Sequence, residues 1–97
     1  FAQYLADFTT AVKYCMNMTH FLLNNNELGK ISKEQMAGEW QGWQTSLHNP
    51  SFAGFAELCG GKGIQVTTAE SVSAAIAEAR AHKGPTIVEL MTDVQLV

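Results

Sequence analysis

Two apolar segments of this chain, residues 18–23 and residues 86–91, show little alternation between polar and apolar side chains. Strands of this kind are usually buried on both faces, as they are in parallel sheets. Amphipathic helical patterns separate them, and a further short strand is predicted at residues 64–66. Strands that alternate with helices form parallel sheets with right-handed crossovers. The sequence therefore predicts an α/β fold, a partial doubly wound parallel sheet of three strands with flanking helices.

Start and stop signals divide the helical patterns. Asn49 is a predicted N-cap, because a proline follows it at the first helical position. Gly60 and Gly61 are predicted to end that helix, since glycine tolerates the left-handed conformation at a helix stop. Thr67 and Glu70 have the spacing of a capping box ahead of the next helix. A short helix is also predicted over residues 31–36.

Length and composition restrict the class of protein. At 97 residues the chain is one domain or part of one, and 46% hydrophobic residues argue for a globular fold. The net charge of -3, with scattered basic residues, predicts neither nucleic-acid binding nor attraction to an anionic membrane. No apolar run approaches the ~20 residues of a membrane span. Cys15 and Cys59 are predicted to be small buried residues in a reducing, cytoplasmic compartment.

The most polar motif follows the first predicted strand. The apolar segment stops at Asn24, Asn25 and Asn26, and Glu27 and Gly29 come soon after. Amide oxygens suit Mg²⁺, and the carboxyl ends of strands are where open α/β sheets bind ligands. An asparagine-rich turn is the alternative, because asparagine tolerates left-handed backbone conformations. Composition and spacing alone leave both interpretations open.

These residues resemble the cofactor-binding domain of thiamine diphosphate enzymes, in particular the pyruvate oxidase and acetolactate synthase group. That family has a Gly-Asp-Gly triplet, then a helix, then a paired asparagine. Residues 7–14 match the helix and residues 22–29 match the second half of the motif. Later segments also fit, so the resemblance covers nearly the whole chain. Gly-Asp-Gly is absent. We expect residues 1–97 to be the C-terminal part of a larger thiamine diphosphate-binding domain, a fragment that starts just after this motif.

The resemblance implies roles for the residues around the asparagine pair. Asn25 matches the asparagine whose side-chain oxygen binds Mg²⁺, and Glu27 matches the position whose backbone carbonyl binds the same ion. The absent aspartate would supply the third protein ligand, and the diphosphate would complete the shell. The remaining predicted cofactor-binding residues, which run from the loop toward the thiazolium, are Asn26, Leu28, Gly29, Lys30 and Ile31.

The resemblance implies no catalytic residue in this chain, because the family's activating glutamate comes from a different domain. The implied parent enzyme decarboxylates a 2-keto acid, for which pyruvate is the expected substrate, and uses thiamine diphosphate and Mg²⁺. The resemblance leaves open whether the parent enzyme also binds FAD. The expected partners are the other domains and a second subunit, in a homodimer or homotetramer. Two alternatives are a non-catalytic α/β interaction module and a nucleotide-binding enzyme with an accidental asparagine loop.

Histidine and tryptophan side chains provide further candidates. His20 is predicted to be a core histidine, and His82 to lie at a helix carboxyl end where positive charge is favourable. His48 lies in a predicted loop near the site and is a weaker candidate for substrate contact. Trp40 and Trp43 are predicted to pack on the sheet edge or on a partner surface rather than to stack on a ligand.

Overall fold

The computed structural model describes residues 1–96. Its three strands are β1 (Thr19–Asn24), β2 (Lys62–Val66) and β3 (Thr86–Met91), and they form one parallel sheet in the order β1-β3-β2. This confirms the predicted α/β fold. The α-helices of the described residues are α1 (Leu5–Lys13), α2 (Gly29–Ala37), α3 (Phe52–Leu58) and α4 (Val72–Ala81).

The helices cover the sheet on both faces. On one face Ile87 of β3 packs against buried residues of α1 and α3, namely Phe8, Phe52 and Ala56. On the other face Val88 packs with Val66 and with Ala75 and Ala79 of α4. Because successive side chains of a strand point to opposite faces, β3 contributes to both clusters and is the buried centre of the sheet. In residues 1–96 no helix has the length and apolar character required to cross a bilayer.

Strand β1 is covered on one face only. Its exposed side chains Phe21 and Leu23 pair in register with Val88 and Leu90, and therefore share the α4 face. Helix α4 packs against β2 and β3 rather than against β1, so Leu23 is 70% exposed. The prediction that this apolar strand is buried on both faces is therefore wrong within the described chain.

Three helices end in the same way. After α1, α2 and α3 the chain enters the left-handed region at Cys15 (φ 51°), Glu39 (φ 59°) and Gly60 (φ 88°). In each case the N–H of this residue and the N–H of the next residue donate to carbonyls of the last helical turn, which is the Schellman motif. The predicted stop at Gly60 is confirmed. Cys15 is exposed at its helix end, so the prediction that both cysteines are buried is wrong, while Cys59 is half-buried in the α3 cluster.

Two predicted N-terminal caps are wrong. The N-cap of α3 is Ser51, whose Oγ accepts from the Gly54 N–H at 3.0 Å. The side chain of Asn49 instead donates a hydrogen bond to the side chain of Asn24. The predicted capping box is replaced by a 3₁₀ turn, Ala69–Ser71, in which the Thr68 hydroxyl donates to the Ser71 hydroxyl at 3.1 Å.

Helix α3 lies very close to β2 at Gly63. A Cβ on Gly63 would be 1.8 Å from the carbonyl oxygen of Ala53, so only glycine fits there. The Gly63 N–H also donates to Oε1 of Glu57 in α3, at 3.1 Å. The close approach to Ala53 places the first turn of α3 on the sheet, where the Ala53 N–H reaches Glu89 of β3.

Candidate functional site

Asn24, the last residue of β1, is a buried hydrogen-bonding centre. Its side-chain Nδ2 donates to Glu89 Oε1 at 2.8 Å. Its Oδ1 accepts from the Asn26 N–H and from Nδ2 of Asn49, both at 3.0 Å. Asn24 is 5% exposed, and its amide is part of the hydrogen-bonded framework of the loop.

The acceptor beneath Asn24 is a carboxylate that the sequence analysis missed. Glu89 lies in the central strand and is 1% exposed. Its second oxygen, Oε2, accepts from the Ala53 N–H in the first turn of α3 at 2.9 Å. A carboxylate in an otherwise apolar strand was the available signal, because burying a charge is costly unless hydrogen-bond donors surround it.

Asn25 and Asn26 both show turn chemistry, and the ligand role of Asn25 stays a prediction. Asn26 has φ 56°, a left-handed conformation that asparagine tolerates better than most residues, so this position has turn chemistry. Asn25 is half-buried, and its Oδ1 accepts from the Glu27 N–H at 3.1 Å. Since an amide oxygen carries two lone pairs, Oδ1 of Asn25 keeps the capacity to bind a cation.

The backbone of Glu27 forms an isolated antiparallel bridge with Ser46. The two hydrogen bonds of this bridge are made by the residues on either side of Glu27 and Ser46. The Leu28 N–H donates to the Thr45 carbonyl, and the Leu47 N–H donates to the Asn26 carbonyl, each at 2.8 Å. The bridge therefore does not use the Glu27 carbonyl, the atom predicted to bind metal.

The side chain of Glu27 joins the loop to its neighbours. Its Oε1 accepts from the Ser32 hydroxyl in α2 and from the Thr45 hydroxyl at 3.3 Å. Thr45 is buried and Ser32 is half-buried. The carboxylate thus holds α2 and the Thr45 segment against the loop, which is a structural task distinct from the one predicted for the backbone carbonyl.

Two cavities meet at this loop. The smaller, of about 150 Å³, lies at the carboxyl end of β1 and includes Asn24, Asn25 and Glu27 in its lining. The larger, of about 390 Å³, is lined by Glu27, Gly29, Ser32 and residues of the Thr45 segment. The structure thus brings Asn25, Glu27 and Gly29 together around one loop.

The other predicted cofactor-binding residues lie at the edge of this arrangement. Leu28 precedes α2 and is exposed, as are Asn26, Lys30 and Ile31. Lys30 and Ile31 line neither of the two cavities at the loop. Of residues 1–96, no group of three or more His, Cys, Asp or Glu side chains could hold a metal ion. From these residues, the ligands predicted for a cation at this loop are an amide oxygen of Asn25 and a backbone oxygen of Glu27.

The histidines lie apart from the loop or on its surface. His20 is half-buried near the start of β1, with its ring centroid 4.7 Å from that of Phe1. Burial lowers the pKa of His20. His48 is exposed, and His82 is half-buried directly after α4.

The tryptophans do not pack on the sheet edge, which was one of their two predicted locations. Trp40 is 74% exposed and Trp43 is 71% exposed. The backbone of Trp43 is nevertheless held by Gln35 of α2: its N–H donates to Oε1 at 3.0 Å, and its carbonyl accepts from Nε2 at 3.1 Å. The indole rings are therefore carried by an anchored segment, and packing on a partner surface stays a prediction.

Comparison with known proteins identifies the fold and its ligand class. The family described as thiamine pyrophosphate enzyme, C-terminal TPP binding domain, matches residues 1–90. The chain is 42% identical over 91 residues to YdaP of Bacillus subtilis strain 168, which is assigned as a thiamine pyrophosphate-containing protein; the match covers 94% of this chain and 16% of YdaP. It is 31% identical over 90 residues to the mitochondrial acetolactate synthase catalytic subunit of Saccharomyces cerevisiae, covering 92% of this chain and 13% of that protein. The chain thus spans less than a fifth of either relative.

Proposed function

Because the chain belongs to the C-terminal TPP-binding domains of thiamine pyrophosphate enzymes, we propose that its loop after β1 holds the diphosphate of this cofactor through Mg²⁺. The carrying observation is the pair of oxygens at the loop. Oδ1 of Asn25 accepts one hydrogen bond and keeps a lone pair, and the carbonyl of Glu27 is unused by its bridge. These neutral oxygen donors fit Mg²⁺, which shares its shell with phosphate oxygens in many sites.

In this proposal the chain's own residues bind and orient. Asn25 and the Glu27 carbonyl hold the ion, and the Glu27 carboxylate keeps α2 and Thr45 in place around it. Asn26, Leu28 and Gly29 form the backbone next to the diphosphate. Lys30 and Ile31, exposed on α2, are assigned by resemblance to the segment near the thiazolium. When bound, the cofactor supplies carbanion stabilisation that no side chain can provide.

The proposed parent activity is decarboxylation of a 2-keto acid, with pyruvate as the first candidate. Similarity to an acetolactate synthase catalytic subunit and to a thiamine pyrophosphate-containing protein supports this class. We propose that residues 1–97 are the C-terminal part of the domain, that the pyruvate oxidase type remains an alternative to the synthase type, and that subunits pair as a dimer or tetramer. FAD would bind outside this chain. The free cysteines support a reducing, cytoplasmic location.

Isothermal titration calorimetry of the full protein with thiamine diphosphate, with and without Mg²⁺, tests the proposal. Asn25→Ala should weaken Mg²⁺-dependent binding at least tenfold and leave the circular dichroism spectrum native, because the lost group faces the ligand rather than the core. Asn17→Ala, which alters an exposed asparagine at the opposite end of β1, should bind like the unmodified protein. Absence of cofactor binding, or full affinity in Asn25→Ala, would overturn the proposed function.

A further inference from the structure

Glu89 is a buried acidic residue to which neither the family match nor the proposed metal site assigns a task. It is 1% exposed at the centre of the sheet, where an apolar residue would cost less to bury. Its two oxygens each accept one hydrogen bond, from the Asn24 side chain and from the Ala53 N–H. These contacts connect the central strand both to α3 and to the proposed cofactor loop.

We propose that Glu89 is a positioning residue, which sets the orientation of the Asn24 amide and so fixes the loop that holds Mg²⁺ and the cofactor diphosphate. The inference rests on the proposed function and adds a residue to it. A carboxylate accepts only, so Asn24 must turn its NH₂ group toward Glu89. Its Oδ1 then faces the two donors on the other side, the Asn26 N–H and the Asn49 amide.

The contact with Asn26 carries this orientation to the metal ligand. The Asn26 N–H belongs to the peptide unit that joins Asn25 to Asn26, so its hydrogen bond to Asn24 fixes the plane of that peptide. With the peptide fixed, the Asn25 side chain starts from a defined backbone position beside the small cavity. Groups that orient metal ligands in this way typically change metal affinity by about 10- to 100-fold when they are mutated.

A purely structural role is the competing explanation, since Glu89 also anchors α3 through Ala53. Glu89→Gln separates the two roles. Glutamine has one oxygen where the carboxylate has two, so when this oxygen accepts from the Ala53 N–H, the glutamine NH₂ group meets the NH₂ group of Asn24. The Asn24 amide must then flip, so that its NH₂ group, in place of its Oδ1, faces the Asn26 N–H and the Asn49 amide. The α3 anchor survives, and the loop loses its acceptor.

Reversing the polarity of the pair provides a rescue. In the double variant Asn24→Asp/Glu89→Gln, the glutamine NH₂ donates to the introduced aspartate, whose carboxylate again accepts from the loop, and one negative charge remains in the pair. Calorimetry of the full protein with thiamine diphosphate and Mg²⁺ should show binding weakened by about 10- to 100-fold in Glu89→Gln. The double variant should return to within about threefold of the unmodified protein. Glu70→Gln, which removes an exposed carboxylate, should bind normally.

Amide hydrogen exchange without cofactor supplies an independent readout. The Asn26 N–H should lose protection in Glu89→Gln and regain it in the double variant, while the Ala53 N–H stays protected throughout. Unchanged affinity and unchanged Asn26 protection in a natively folded Glu89→Gln would overturn the inference. A double variant as weak as Glu89→Gln would also overturn it, in favour of the structural role. If the unmodified protein bound no cofactor, the proposed function would fail and the cofactor part of this inference with it, while exchange at Asn26 would still decide whether Glu89 orders the loop.

Discussion

The contact between Gly63 and α3 provides a quantitative test of how this helix lies on the sheet. In Gly63→Ala the new Cβ would lie 1.8 Å from the Ala53 carbonyl oxygen and 2.5 Å from its carbon. Real Cβ atoms essentially never approach closer than 3.0 Å, and both neighbours here are backbone atoms that no rotamer change can remove. The backbone of α3 or β2 must therefore move by about 1.2 Å, the difference between 3.0 and 1.8 Å.

The cost follows from what that movement breaks. Overpacking alone typically costs about 1–3 kcal/mol. Moving Ala53 away from the sheet also stretches the 2.9 Å hydrogen bond from its N–H to Glu89, and a bond to a charged acceptor contributes about 1.5–3 kcal/mol. We therefore expect Gly63→Ala to lower the free energy of unfolding by about 3–5 kcal/mol.

Urea unfolding followed by far-UV circular dichroism measures this loss. Gly42→Ala is the matched control, because the nearest atom to its new Cβ is Oε1 of Gln35 at 3.9 Å. Reduced freedom of the unfolded chain should leave Gly42→Ala unchanged or more stable by about 0.4–1 kcal/mol. A Gly63→Ala protein within about 1 kcal/mol of the unmodified protein, with an unchanged denaturant slope, would refute the argument from the Ala53 contact.

Three further substitutions test single features. The pKa of His20 is lowered in the folded state. The free energy of unfolding should therefore fall as the pH drops below about 6.5, the pKa of an unfolded histidine, and His20→Phe should remove that part of the pH dependence. An NMR titration that placed the His20 pKa above 6.5 would contradict this sign. Thr86 buries a hydroxyl that has no hydrogen-bond partner, so Thr86→Val should raise stability by about 1 kcal/mol, and a lower melting temperature would count against it. Cys15→Gly should stabilise by about 0.5–1 kcal/mol, because it removes the steric cost of a side chain at φ 51°, about 1–2 kcal/mol, and loses part of this gain to the greater freedom of glycine in the unfolded chain. Cys15→Ala is the control, and an equal gain there would show that backbone conformation is not the cause.

The sheet was predictable because its signal is local. The apolar segment of residues 86–91 follows an amphipathic helical pattern and leaves few alternatives, and β3 has the predicted bounds, Thr86–Met91. The partial exposure of β1 was not predictable, because it depends on which strands α4 crosses. The hydrophobic pattern of a single segment does not determine the order of strands in the sheet.

In the candidate site, too, the local features were predicted and the long-range contacts were missed. The asparagine run indicated a loop at the end of β1, and a resemblance assigned ligand roles to Asn25 and Glu27. The supporting residues were missed because each acts across a long separation in sequence. Asn49 resembled a helix cap, yet its side chain contacts Asn24 at 3.0 Å, and Glu89 contacts Asn24 from the far end of the chain. Hydrogen bonds between distant segments leave no spacing that a reader of one sequence can recognise.

The two hydrogen bonds between the Gln35 side chain and the Trp43 backbone offer a way to observe the loop. Gln35 and Ser32 both belong to α2, and Ser32 donates to the Glu27 carboxylate within the loop. The chain's two indoles, both open to water, are therefore coupled to the loop through one helix. We expect a rearrangement at Glu27 that displaces α2 to move both indoles with it, and tryptophan emission measured with and without cofactor tests this without an added dye.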